Sequence, residues 1–183
     1  MWFAANKGVV MRHGTGKVIA TERGYDLVLS REFPISVEEL WKHVTESELT
    51  AAWFGPWEGE GKPGSTVMVT MAFEEAGPPV GIRVEACEAP ERLELRADDD
   101  FGSWHLELFL EASDEGSRLK FVHHLDESAN VGDVGPGWEY YLDLLVVAVA
   151  RASSEGSAEG DDIEQPEFSQ YYPSQSAYYL DQL

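Results

Sequence analysis

Few side chains in this chain are placed to do chemistry, and three of its five histidines fall close together, at His105, His123 and His124. They sit in two runs of alternating character, Trp104–Leu110 and Leu119–Leu125. Pairing these runs as a hairpin sets Leu110 opposite Leu119, Leu108 opposite Phe121 and Leu106 opposite His123. The same register puts Glu111 opposite Arg118 on the outer face, a favourable cross-strand pair. It also puts His105 opposite His124, with Glu107 within reach. Two imidazoles and a carboxylate are part of a metal set, but a site needs a further ligand and supporting partners. Outer-face histidines are ordinarily just solvated, so no metal is assigned. His123 belongs to the inward set. A buried imidazole needs hydrogen-bond partners, and Tyr141 is the expected one, a polar group of a ligand being the alternative. Cys87 is expected on the outer face beside Glu85 and Glu88, whose charge opposes a thiolate. No G-x-S-x-G, H-E-x-x-H, P-loop or dinucleotide fingerprint occurs. No catalytic residue and no cofactor are therefore assigned.

The second inventory is apolar. Trp53 and Phe54 precede Gly55-Pro56, and Trp57 follows. Aromatic walls with few polar groups suit a ligand pocket. The candidate lining is Trp53, Phe54, Trp57, Val69, Met71, Val84, Trp104, Leu106, Leu108, Phe121, His123, Trp138, Tyr141, Leu142 and Leu145. Trp41 is read as ordinary core.

The elements that must hold these residues follow from periodicity. Gly135 to Ala150 reads as a helix starting at Gly135-Pro136-Gly137, with Trp138, Tyr141, Leu142, Leu145 and Val149 on one face. Its second half, Leu144 to Ala150, is apolar all round and needs cover on more than one side. That run is too short to span a membrane, so the cover must be protein. Upstream, Val18–Thr21 and Tyr25–Phe33 read as a strand pair. Ser36-Val-Glu-Glu39 is a capping box that starts a short helix, and Thr45-Glu-Ser-Glu48 starts another. Thr66–Glu74, Ile82–Cys87, Arg92–Arg96 and the histidine-bearing hairpin continue as an antiparallel meander. Pairing Phe73 with Ile82 and Met71 with Val84 keeps its apolar residues on one face. A one-faced sheet must be covered, and the long helix is the large cover available.

Composition bounds the rest. The 183 residues carry 13 basic and 34 acidic side chains, a net charge of −21. Such a surface repels phosphate backbones and anionic membranes, so neither nucleic acid nor membrane is an expected partner. A single cysteine excludes an internal disulfide framework and suits a reducing cytoplasm. The first residues lack the pattern of a secretory signal, and the absence of a period before Lys17 suggests a translation start at Met11. Residues 1–16 are read as a flexible extension, 17–151 as the folded domain, and 152–183 as an acidic, tyrosine-bearing tail, mostly disordered. Phe168, Tyr171, Tyr172, Tyr178, Tyr179 and Leu180 nonetheless offer enough apolar surface to dock on the second half of the helix.

Arg31-Glu-Phe-Pro-Ile-Ser-Val-Glu-Glu-Leu-Trp41, Glu46-Ser-Glu-Leu49, Trp53-Phe-Gly-Pro56 and Gly137-Trp-Glu-Tyr-Tyr-Leu-Asp-Leu-Leu145 together resemble the SRPBCC superfamily. The branch is similar to the C-terminal domain of the activator of the ninety-kDa heat-shock protein ATPase. The resemblance covers roughly residues 17–151. It implies an α+β helix-grip fold, in which a curved antiparallel sheet wraps a long C-terminal helix and encloses a cavity. It implies a soluble binding protein for a small hydrophobic or amphipathic molecule. A co-chaperone or stress-response interaction module is the first alternative, and a cyclase or aromatase relying on His123 is the second. The chain is expected to be a monomer or a homodimer.

Overall fold

The computed structural model describes residues 12–99, 102–154 and 163–183. The proposed start at Met11 lies outside them. The first hairpin is β1 (Lys17–Thr21) and β2 (Gly24–Phe33). Helices α1 (Val37–Thr45) and α2 (Ser47–Thr50) follow, then β3 (Trp57–Glu58), β4 (Thr66–Val69), β5 (Val80–Glu88), β6 (Arg92–Asp99), β7 (Gly102–Ser113) and β8 (Gly116–Asp126). The long helix α3 spans Val131–Ser153, and a 3-10 turn (Phe168–Gln170) and α4 (Ser176–Leu180) close the chain. The strands form one antiparallel sheet in the order β1-β2-β8-β7-β6-β5-β4-β3. The last strand returns to pair with the second, Leu27 opposite His123 and Leu29 opposite Phe121. This is the helix-grip arrangement.

The β7–β8 register is the expected one, with Leu106, Leu108 and Leu110 opposite His123, Phe121 and Leu119. Its inward residues are buried against α3, as are Leu142, Leu144, Leu145 and Val149 of the helix itself. Each such side chain contributes about 1.5–3 kcal/mol by leaving water. The Ser36 capping box forms as predicted, its hydroxyl accepting from the Glu39 amide.

Four expectations are corrected. First, α3 begins a turn before the glycine–proline pair. Asn130 caps it by accepting from the Gly132 amide, and Pro136 lies inside the helix. Second, β4 ends at Val69, so Phe73 does not pair with Ile82; Val67 does, and Val69 faces Val80. Beyond Val69 the Thr70 and Ala72 amides donate to the Pro56 and Phe54 carbonyls, which continues the β3 side of the pairing after the pairing with β5 has ended. Third, the register of β5 against β6 shifts between Val84 and Ala86. One extra residue in a strand reverses the alternation beyond it. Cys87 is therefore turned inward, against the core, and not outward.

Fourth, the chain ends are held where they are described. Tyr171 and Tyr179 are 1% and 0% exposed, so residues 163–183 differ from a disordered tail. They run antiparallel to α3, from Ile163, whose carbonyl accepts from Arg151, to Leu180 beside Gly132. Their deepest contacts are with the first half of the helix. Tyr171 packs on Tyr140 and donates to Asp143 at 2.8 Å. Tyr179 lies against Gly135, where a Cβ would come 2.4 Å from the ring. The glycines at 132 and 135 are what allow the tail to approach so closely. Residues 12–16 also differ from a flexible extension, because the Thr15 and Gly16 amides both donate to buried Glu139.

Candidate ligand cavity

Curvature of the sheet and the position of α3 leave an apolar cavity of about 110 Å³. It lies between the α1–α2 segment and the β4–β8 part of the sheet, with Trp138 of α3 at one wall. Nine of the expected residues line it: Trp53, Phe54, Trp57, Val69, Val84, Leu106, Leu108, Phe121 and Trp138. The other six do not. Met71 and Trp104 pack behind the wall, and Leu142 and Leu145 belong to the solid core at 1% and 0% exposure. Tyr141 donates to Glu74 at 2.8 Å. Burial, then the Glu74 charge, push its phenol up, so it stays neutral.

His123 is 3% exposed and is not in the wall. Its partner is Trp138, not Tyr141: the indole N–H donates to His123 Nδ1 at 3.0 Å. Burial lowers the ring to about 4, against a smaller opposing pull from the Ser103 backbone. The ring is therefore neutral at ordinary pH, with its proton on Nε2, which has no partner of hydrogen-bonding geometry. It stands behind Trp138 and is not among the lining residues, so the cyclase reading has no base in the cavity wall.

Sequence reasoning missed Val44, Thr45, Thr50, Gly61, Val67, Ile82, Cys87, Leu93 and Leu95 in the lining. Val67 and Ile82 are in phase with Val69 and Val84, so the alternation carried that signal. Cys87 was concealed by the shift in β5. Thr45 and Thr50 donate to the Trp41 and Gly55 carbonyls at 2.7 and 2.9 Å, so neither offers a free donor inward. The indole of Trp53 is likewise bonded, to the His43 carbonyl. Cys87 is the remaining group with chemistry, and burial raises its pKa, keeping it a thiol. The cavity thus presents carbon, aromatic faces and one neutral sulfur. Phe54 stacks on Trp138 at 6.3 Å and 16°, and Phe121 lies 4.4 Å from the same ring. Trp57 closes over Gly61, where a Cβ would meet its ring at 2.8 Å.

A family model described as activator of Hsp90 ATPase homolog 1-like protein matches residues 34–150. Among solved structures, CalU16 from Micromonospora echinospora superposes with a TM-score of 0.68 at 17% identity, over 93% of this chain and 96% of its own. A Rhodobacter sphaeroides protein gives 0.61 at 21% identity, over 77% of this chain and 100% of its own. DynU16, a protein of the dynemicin biosynthetic locus, gives 0.62 at 22% identity, over 72% of this chain and 48% of its own. At these identities the likeness is one of fold. No curated protein matches the chain. No described helix is long and apolar enough to cross a membrane.

Proposed function

From the premise that the chain belongs to the activator of Hsp90 ATPase homolog 1-like family, we propose that it binds a small, uncharged, apolar molecule in the cavity beneath Trp138. The observation that carries this reading is the chemistry of the wall. The hydroxyls of Thr45 and Thr50 and the indoles of Trp53 and Trp138 are bonded within the protein, and the wall contains no charged side chain. A charged or strongly hydrogen-bonding guest would lose water there and gain few partners.

Size narrows the guest. A cavity of about 110 Å³ is below the 150 Å³ or so that holds benzene in an engineered apolar void, and below the 300–1,000 Å³ of drug-sized sites. The guest is therefore on the scale of one ring or a short aliphatic chain, admitted by a small displacement of Trp57 from Gly61. The single cysteine suits a reducing cytoplasm as the place of action.

A thermal-shift screen of neutral one-ring aromatics, short alcohols and short alkanes tests this, alongside a Val84→Phe variant that fills the cavity. A ligand at about a hundred times its Kd adds about 2.7 kcal/mol to stability. We expect a raised Tm for the native chain with at least one apolar probe, and no rise for Val84→Phe. If no probe raises the Tm of the native chain, or if Val84→Phe responds equally, the cavity is not the binding site.

A further inference from the structure

The outer face of the sheet carries a second constellation, on the side opposite the cavity. His105, Glu107 and His124 each offer a ligand atom within 4.8 Å of the others. Glu94 stands beside them, its Oε1 2.9 Å from His105 Nε2. These groups are delivered by β6, β7 and β8, and Asp26 of β2 completes the row. Four hydrogen-bonded strands make a rigid platform, so the geometry does not depend on a loop.

His124 has a carboxylate oxygen at each of its ring nitrogens. Its Nδ1 lies 2.7 Å from Asp26 Oδ1 and its Nε2 lies 3.0 Å from Glu107 Oε1. A neutral imidazole carries one N–H and can donate to one of them only. A metal ion on the other nitrogen satisfies the second contact. With Nδ1–H donated to Asp26, the Nε2 lone pair points at Glu107, which is how a carboxylate orients a metal-bound histidine.

Arg92 arranges the carboxylates for the same purpose. It takes Oε2 of Glu107 at 2.9 Å and Oε2 of Glu94 at 2.7 Å. Both remaining Oε1 atoms are left facing the histidines. Glu94 and Glu107 are directly opposite in the β6–β7 register, a like-charge pair that is unfavourable unless compensated. Arg96 is exposed and contacts both ring nitrogens of His105, at 3.1 Å to Nδ1 and 3.3 Å to Nε2, so an ion bound at Nε2 displaces its guanidinium.

We propose that His105, Glu107 and His124, with Glu94 as fourth ligand and Asp26 and Arg92 as positioning residues, bind one divalent transition-metal ion of the Zn²⁺ type. Two imidazoles with two carboxylates suit a borderline ion and not Mg²⁺ or Ca²⁺, which take oxygen sets. The histidine rings lie 4.4 Å apart, centre to centre. At metal–nitrogen distances near 2.1 Å, a tetrahedral ion needs them to part by under ~1 Å. The site is partly exposed, so the ion can enter from solvent.

The test is calorimetric titration of Zn²⁺ into the metal-stripped full chain at neutral pH, with any purification tag removed. Excess Mg²⁺ in the buffer occupies the scattered acidic side chains. We expect one Zn²⁺ per chain, binding weakened at least tenfold in His105→Ala and His124→Ala, and weakened about tenfold in Asp26→Asn. Imidazole nitrogen NMR on the native chain provides a readout that needs no variant: His105 and His124 should shift on titration, and His13, His43 and His123 should not. Sub-stoichiometric binding, affinity in the two alanine variants equal to that of the native chain, or unchanged His105 and His124 signals would overturn the proposal.

Discussion

The hydroxyl of Tyr179 donates to the carboxylate of Glu139, 40 residues earlier in the chain. Glu139 is 1% exposed, and it also accepts from the Thr15 and Gly16 amides and from Arg31. One buried carboxylate on α3 therefore fastens the start and the end of the described chain to the same helix. Arg31 is in turn held by Asp143 at 2.8 Å, one helical turn further along.

Replacing Glu139 by Gln should cost on the order of 3 kcal/mol at pH 7, because it leaves Arg31 and several donors without their charge partner. Urea denaturation measures this. The pH dependence has a defined sign. Burial alone would raise the Glu139 pKa, but the Thr15 amide, the Tyr179 hydroxyl and Arg31 outweigh it and hold the carboxyl below its usual range. A depressed carboxyl contributes stability above its ordinary value of 4.5 that is lost as pH falls below it. The native chain should lose more stability than Glu139→Gln between about pH 5 and 3. Parallel acid curves for the two proteins would refute the assignment.

His123 gives a second, separable pH effect. Its folded pKa is about 4 against an ordinary 6.5, so protonation favours the unfolded chain. The stability it contributes is whole above pH 6.5 and declines as pH falls towards 4. The size is on the order of 3 kcal/mol. His123→Gln keeps an acceptor for Trp138 but does not titrate. It should cost about 1–2 kcal/mol at pH 7 and flatten the curve between pH 6.5 and 4. Chemical denaturation at several pH values checks this, and an unflattened curve would count against a buried neutral ring.

What the sequence disclosed depended on whether a residue's role was local. The β7–β8 register was legible because leucines alternate on both strands and Glu111 meets Arg118. Helix α3 was legible from its spacing, but its start was not, since Pro136 reads as a first-turn residue and Asn130 lies in a polar stretch. Cys87 was misplaced because one residue gained or lost within a strand leaves no mark on composition. The Asp26–His124 contact was out of reach, because it requires β8 to return to β2 across nearly a hundred residues.

Gly135 tests the docking of the tail. In an open helix, Gly→Ala gains about 1 kcal/mol of helix propensity. Here the new Cβ would meet the Tyr179 ring at 2.4 Å. Gly135→Ala should therefore destabilise by about 1–3 kcal/mol, the range for overpacking. Hydrogen exchange should quicken in residues 176–183 and in the first half of α3, with β7 and β8 unchanged. A stabilised variant would mean that the tail does not lie on Gly135.

Cys87 offers a direct reading of the cavity. Its sulfur lies in the apolar wall, and burial holds it as a thiol. Attack on an electrophile needs the thiolate and access to it, and both are suppressed here. Neutral N-ethylmaleimide should label the folded chain at least tenfold more slowly than the urea-unfolded chain at pH 7.5. A molecule that raises the Tm in the screen should slow labelling further, whereas a molecule bound elsewhere should leave the rate unchanged. Zn²⁺ provides the contrast, because His105, Glu107 and His124 face the other side of the sheet. Loading the ion should leave Cys87 labelling as it was. If Zn²⁺ slows Cys87 as strongly as the apolar molecule does, the metal is on the thiol, and two sites on opposite faces is the wrong description of this protein.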